Sequence, residues 1–199
     1  MNGWHWDDAG WLSAARRVDS PNFDARPSGS VPEMVVIHNI SLPPGEFGGN
    51  DIECLFTNTL DCSQRDDYAG LEALRVAAHF LIRRDGEIVQ FVACDHRAWH
   101  AGVSRWQGRE RCNDFSIGIE LEGSDHVPFG DAQYQNLTAL LTIIAARYPL
   151  RYLVGHNDIA PQRKSDPGPY FDWHRLLQAL PLAMRNLNDQ TASIRHPVL

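Results

Sequence analysis

Lysine is almost missing from this chain. Of its 18 basic residues all but Lys164 are arginine. A chain so biased keeps lysine where a compact, mobile ammonium does what a planar guanidinium cannot, which marks Lys164 for attention; chance is the competing reading. Basic charge is also scarce overall. With 18 Lys+Arg against 25 Asp+Glu, the formal charge is -7, and the broad basic footprint needed for nucleic-acid binding is absent. Cysteine is sparse too. Cys54, Cys62, Cys94 and Cys112 fit neither zinc-finger spacing nor a dense disulfide framework, so reduced thiols are expected. No apolar run approaches membrane-spanning length. Residues 1–8 lack the basic stretch and apolar core of a secretory signal. Together these absences predict a cytoplasmic protein, with no nucleic acid, no membrane and no obligate protein partner. There is no internal repeat or low-complexity tract, and 199 residues at 43% apolar suit one domain with a full core. That domain is expected over 1–187, followed by a polar, flexible tail over 188–199.

What is present is concentrated in one stretch. Gly155-His156-Asn157-Asp158 opens a run that continues to Lys164-Ser165-Asp166-Pro167-Gly168-Pro169, directly after the short apolar strand signal Tyr152-Leu153-Val154. Imidazole and carboxylate are both good zinc ligands, and a catalytic zinc takes three protein ligands, leaving one position for water or substrate. His156 and Asp166 supply two. Pro167 biases Asp166 toward extended backbone, and Pro169 does the same for Gly168. Asp158 is a rival ligand, but it lies two residues after His156 and lacks the proline bracing.

Elsewhere, residues 1–33 carry Trp4, Trp6 and Trp11 and a turn-rich run, which predicts an irregular segment wrapped on the body by its aromatics. Met34-Val35-Val36-Ile37 reads as a buried strand with His38 at its mouth, either a metal ligand or a hydrogen-bonded structural histidine. Residues 41–68 form a connection long enough to shape a site or to be a passive excursion, with a helical turn near 52–57 and a short helix near 68–74. Asp85-Gly86 between two apolar runs predicts a hairpin whose tight turn needs positive φ at both residues. His96, Trp99 and His100 lie in a loop where they either line a pocket or pack. In Ser116-Ile117-Gly118-Ile119-Glu120-Leu121-Glu122 the apolar residues alternate strictly. Glu120 then faces solvent, or it faces a cleft as a general base. Asp131 is the expected N-cap of a core helix ending at Pro149, and Asp172 caps another through Leu180.

His38, His156 and Asp166 together make a His/His/Asp set. Glu120 could activate a water there, and Lys164 could stabilise charge on a carbonyl oxygen, parts that suit amide hydrolysis.

The stretches 36–49, 81–90, 97–104, 108–123 and 155–169 resemble the AmpD-type 1,6-anhydro-N-acetylmuramoyl-L-alanine amidases. The resemblance covers most of residues 4–176. It implies a bacterial zinc enzyme of cytoplasmic peptidoglycan recycling. The expected substrate is an anhydro-muropeptide, cut between the lactyl group of 1,6-anhydro-N-acetylmuramic acid and the L-alanine of the stem peptide. By matching position, His38, His156 and Asp166 hold Zn2+, Glu120 is the base, and Lys164 stabilises the transition state. Asn39, Arg75, Trp99 and Arg111 are the matching substrate contacts. Many members of the wider family have cysteine as third ligand; Asp166 matches the AmpD-like branch. Where the family often has a tyrosine or phenylalanine pair, this chain has Asp67-Tyr68. The competing readings are a broader amidase acting on intact peptidoglycan, a non-catalytic muropeptide-binding protein, and a zinc peptidase of other specificity. The expected fold is α/β, a central mixed sheet flanked by helices with the zinc site at one sheet end.

Overall fold

The apolar run beginning at Met34 forms the strand around which the sheet is laid. The computed structural model describes residues 3–188. In chain order the strands are β1 (Arg16–Arg17), β2 (Phe23–Ala25), β3 (Met34–Ile40), β4 (Phe80–Ile82), β5 (Ile88–Gln90), β6 (His96–Ala98), β7 (Arg105–Trp106), β8 (Arg109–Glu110), β9 (Ser116–Glu122) and β10 (Tyr152–Gly155). The helices are α1 (Asp51–Phe56), α2 (Asp131–Arg147), α3 (His156–Ile159) and α4 (Trp173–Ala179). Six strands make one sheet in the order β1-β5-β4-β9-β3-β10. Only β4 and β5 run antiparallel; every other neighbouring pair is parallel. This is the expected mixed α/β sheet.

The alternation in β3 and β9 decides which face does what. Val35 and Ile37 join Ile117, Ile119 and Leu121 in the main core, with Tyr134, Leu137, Leu141 and Ile144 of α2. The opposite face carries the other residues in register: Met34 beside Ser116, Val36 beside Gly118, and His38 beside Glu120. All seven residues of β9 are buried, so this second face is covered rather than solvated.

Several local expectations are revised. His38 lies inside β3, which continues through Ile40, not at its mouth. The 68–74 helix does not form. A 3-10 turn, Asp66–Tyr68, ends there, and Gly70 follows at φ 88°, outside the helical range. The Asp85-Gly86 turn has positive φ only at Gly86. Gly86 N–H donates to Arg83 O at 2.9 Å and Arg83 N–H to Glu87 O at 2.9 Å, the longer hairpin loop in which one left-handed glycine suffices. The N-cap of α2 is Gly130, not Asp131, and the Gln133 side chain accepts the Gly130 N–H at 3.0 Å. Asp172 does cap α4, accepting from Arg175 N–H at 2.9 Å. The amino-terminal segment is more ordered than expected, since β1 extends the sheet and β2 pairs with β6. Trp6 packs edge-on against Phe80 and Tyr148, whereas Trp11 lies under the Arg17 guanidinium.

The long connection is packed, not passive. Leu42, Ile52, Leu55, Phe56 and Tyr68 form a second cluster with Leu81 and Val89 of the sheet and with Phe91 just after β5. The buried Glu122 carboxylate accepts Gly48 N–H at 2.6 Å and Arg84 N–H at 3.0 Å, tying the connection to the end of β9. The four cysteines are free. Of the expected tail, 189–199 lies outside the described residues. Asn188 is buried and donates to Leu153 O at 2.6 Å. Among the described residues no helix is long and apolar enough to cross a membrane.

Candidate active site

Parallel pairing brings the carboxyl ends of β3, β9 and β10 together, the usual place for a site in an α/β sheet. Register sets His38 of β3 beside Glu120 of β9. His156 follows immediately as the first residue of α3. Asn157 N–H donates to Asp166 O at 2.9 Å, fastening the loop that returns to the site. Asp166 precedes a cis peptide bond to Pro167.

Three side chains converge as a result. His38 Nδ1 and His156 Nδ1 are 3.0 Å apart, and Asp166 Oδ2 lies 3.1 Å from the first and 3.0 Å from the second. Among the described residues these form a three-donor group suited to a metal ion. The chemistry of the donors fits one. His156 Nε2 lies 3.2 Å from Ala101 O, a carbonyl that can only accept, so Nε2 carries the proton and Nδ1 presents a lone pair. That lone pair faces a carboxylate and a second imidazole, an arrangement a cation satisfies. Asp158, the rival ligand, is occupied elsewhere: its Oδ2 accepts Gly155 N–H at 2.6 Å at the start of α3.

The electrostatics suit a hydrolytic site. Burial pulls the His38 imidazole down to about 4, against the pull of Asp166 toward the charged form. Burial pushes the Asp166 carboxyl up, but a protonated His156 or His38 beside it outweighs that and holds it well below the usual carboxylate range. Glu120 is the opposite case. Burial raises it well above its ordinary value, Asp166 adds to the rise, and Lys164 opposes it. Its Oε1 is 4.0 Å from His38 Nδ1, and its buried Oε2 has no hydrogen-bond partner among the described residues. A buried carboxyl with an unmatched oxygen facing a cleft is poised to exchange a proton with something that binds there.

These residues line one cleft of about 420 Å³, which also takes in Asn39, Arg75, Trp99 and Lys164. Eight of the nine residues singled out from sequence therefore meet at one place. The exception is Arg111, which is exposed and lines an adjoining groove that shares Gly102 and Arg163 with the cleft. Leu55 and Phe56, from the long connection, form part of the cleft wall. Asn39 Nδ2 donates to Asp125 Oδ1 at 2.7 Å. The 96–102 segment separates by role, since the His96 ring packs at a tilt against Phe23, with ring centres 4.9 Å apart, whereas His100 is buried with its Nδ1 3.0 Å from His38 Nε2. Sequence reasoning did not anticipate Asp125, Asn113 or Arg163, whose contacts depend on distant loops meeting.

The N-acetylmuramoyl-L-alanine amidase family model matches residues 28–169. The 1,6-anhydro-N-acetylmuramyl-L-alanine amidase AmpD of Citrobacter freundii is 61% identical over 170 residues, 84% of this chain and 91% of the relative. A crystal structure of a Se-Met AmpD derivative superposes with a TM-score of 0.86 at 57% identity, covering 89% of this chain and all (100%) of the other. The amidase AmiD of E. coli, in complex with anhydro-N-acetylmuramic acid-L-Ala-D-gamma-Glu-L-Lys, superposes with a TM-score of 0.53 at 33% identity, covering 90% of this chain and 66% of the other.

Proposed function

Because the chain belongs to the N-acetylmuramoyl-L-alanine amidase family, as an AmpD-type member, we propose that it is a zinc amidase acting on anhydro-muropeptides. It hydrolyses the amide between the lactyl group of 1,6-anhydro-N-acetylmuramic acid and the L-alanine of the stem peptide, in the recycling of peptidoglycan in the cytoplasm. The observation that carries the metal assignment is the meeting of His38 Nδ1, His156 Nδ1 and Asp166 Oδ2 within 3.1 Å beside the buried Glu120.

In this reading His38, His156 and Asp166 would hold the ion at the cleft. When bound, zinc supplies Lewis-acid polarisation of the scissile carbonyl and a water of lowered pKa. Glu120 accepts a proton from the attacking water, the role its unmatched buried oxygen at the cleft suits. It then delivers the proton to the departing L-alanine amine. Lys164 supports the negative charge that builds on the carbonyl oxygen. Its short reach and point charge fit a developing oxyanion better than a guanidinium fork does. Asn39, Arg75 and Trp99 position the substrate in the cleft, and Arg111 does so from the adjoining groove. A non-catalytic binding protein would have no use for a complete ligand set and an unmatched buried carboxyl.

Mass spectrometry of the zinc-loaded protein incubated with an anhydro-muropeptide tests the reading. The expected products are a peptide beginning with L-alanine and free 1,6-anhydro-N-acetylmuramic acid. No cleavage would overturn it.

A further inference from the structure

His38 and His156 each have a second ring nitrogen, and both are held by one short segment. His156 Nε2 faces Ala101 O at 3.2 Å, and His38 Nε2 faces His100 Nδ1 at 3.0 Å. The segment is itself fastened, since His100 N–H and Ala101 N–H both donate to Asn113 Oδ1, at 3.2 and 2.8 Å. For His156 the proton's place follows directly from the carbonyl. For His38 it depends on how His100 is protonated, and the contacts beyond His100 decide that.

The chain of bonds starts at Cys112. Its carbonyl can only accept, and Ser116 Oγ lies 2.6 Å away, so the Ser116 hydroxyl donates there. Having used its one proton, Ser116 Oγ can only accept from His100 Nε2, 3.1 Å away. His100 therefore carries its proton on Nε2 and shows a lone pair on Nδ1. His38 Nε2 must then be the donor across the 3.0 Å contact, which leaves His38 Nδ1 bare toward His156 and Asp166. The four groups are buried: Cys112 and Ser116 are 0% exposed, His38 1% and His100 9%. Water is thus a poor substitute for any link. The seat of the His100 ring is also built in, because a Cβ at Gly118 would come within 2.4 Å of His100 Cγ.

We propose that His100, oriented by Ser116, is a positioning residue that fixes His38 with its proton on Nε2 and so aims the Nδ1 lone pair at the metal. This rests on the metal centre put forward above. A ligand histidine held in the right tautomer binds a metal without rearranging, and loss of such an outer partner typically costs about 10- to 100-fold in metal affinity. His100 also lines the cleft, but the role assigned to it runs through its contact with His38.

Two measurements test this on the full chain. Nitrogen-15 NMR of the imidazoles in zinc-free wild type is expected to show His38 and His100 each protonated on Nε2. A neutral His38 with its proton on Nδ1 would overturn the relay without any mutation. Zinc affinity by competition with a chelator is expected to fall about 10- to 100-fold in His100→Ala. His100→Asn, whose side-chain oxygen can replace the Nδ1 acceptor, should recover most of the loss. Ser116→Ala should fall by about 10-fold, the lower end of that range. Folded His100→Ala with wild-type affinity would overturn the proposal, as would an equal loss in His100→Asn. A wild type that binds no zinc would instead overturn the metal centre itself, and with it the purpose of the relay.

Discussion

Replacing Glu120 by glutamine should separate catalysis from stability in opposite directions. The Glu120 carboxyl is not among the three converging donors, its nearest oxygen being 4.0 Å from His38 Nδ1, so zinc should remain bound with nearly unchanged affinity. Turnover should collapse, because a glutamine cannot take a proton. General acid–base groups contribute about 10²- to 10⁴-fold, which at about 1.4 kcal/mol per decade is roughly 3–5 kcal/mol of barrier. The zinc-free variant should nevertheless be more stable than zinc-free wild type at neutral pH. Burial raises the Glu120 carboxyl well above its ordinary value, with Asp166 adding to the rise and Lys164 opposing it. A carboxyl raised on folding contributes stability that is complete below its unfolded value of about 4.3 and is lost as pH climbs through the folded value. Glutamine has no such loss. Each kcal/mol so gained moves the melting temperature of a chain this size by about 2–4 °C. The assay is kcat on an anhydro-muropeptide beside melting curves of the zinc-free proteins from acidic to neutral pH. Turnover within tenfold of wild type would remove Glu120 from the mechanism. A zinc-free variant that melts no higher than wild type at neutral pH would refute the reasoning about its burial.

Three further outcomes follow from the same geometry. Lys164→Met should lower kcat by about 10²- to 10³-fold, the usual cost of one oxyanion donor. Lys164→Arg should fall in between, because a planar fork replaces a point charge; wild-type kcat in Lys164→Met would exclude the ammonium from the transition state. Asp166→Ala should weaken zinc binding by more than the about 10- to 100-fold lost with an outer partner, while Asp166→Cys, which restores an anionic ligand, should recover it, both read by chelator competition. Glu53 is paired with Arg16 and Arg83, and Arg16, then Arg83, hold its carboxyl below the ordinary range against burial. Its stabilisation is present above about pH 4.3 and is lost as pH falls through the lower folded value, so Glu53→Gln should flatten the acid limb of the melting temperature; an unchanged limb would exclude the network as its source.

How much of this was legible in the sequence depended on how local each signal was. The alternation from Ser116 to Glu122 placed Glu120 opposite the core face, but only the parallel register with β3 put it next to His38. The motif from Gly155 to Pro169 held two donors that face each other because one short loop carries both. The missed elements were short or carried by pairing. β1, β2 and β6 are two or three residues each and exist because a partner strand offers hydrogen bonds, a signal no local pattern contains. The helix expected near 68–74 had apolar spacing but also Gly70, and the chain turns there instead. His100 stayed ambiguous because its meaning lies in contacts with residues 16 and 62 positions away in the chain. Gly118 was a visible clue, since a glycine inside a buried strand often marks the close approach of another group. Arg111 lines the neighbouring groove rather than the cleft, a placement that depends on loops meeting in space and is not written in its local sequence.

The most direct test is a zinc titration of metal-free protein, with bound metal and cleavage of an anhydro-muropeptide followed together. Activity should rise in proportion to zinc and level off at one ion per chain in wild type, and it should stay absent when His38, His156 or Asp166 is replaced by alanine at the same zinc concentration. Full cleavage by protein verified to hold no metal would contradict the account.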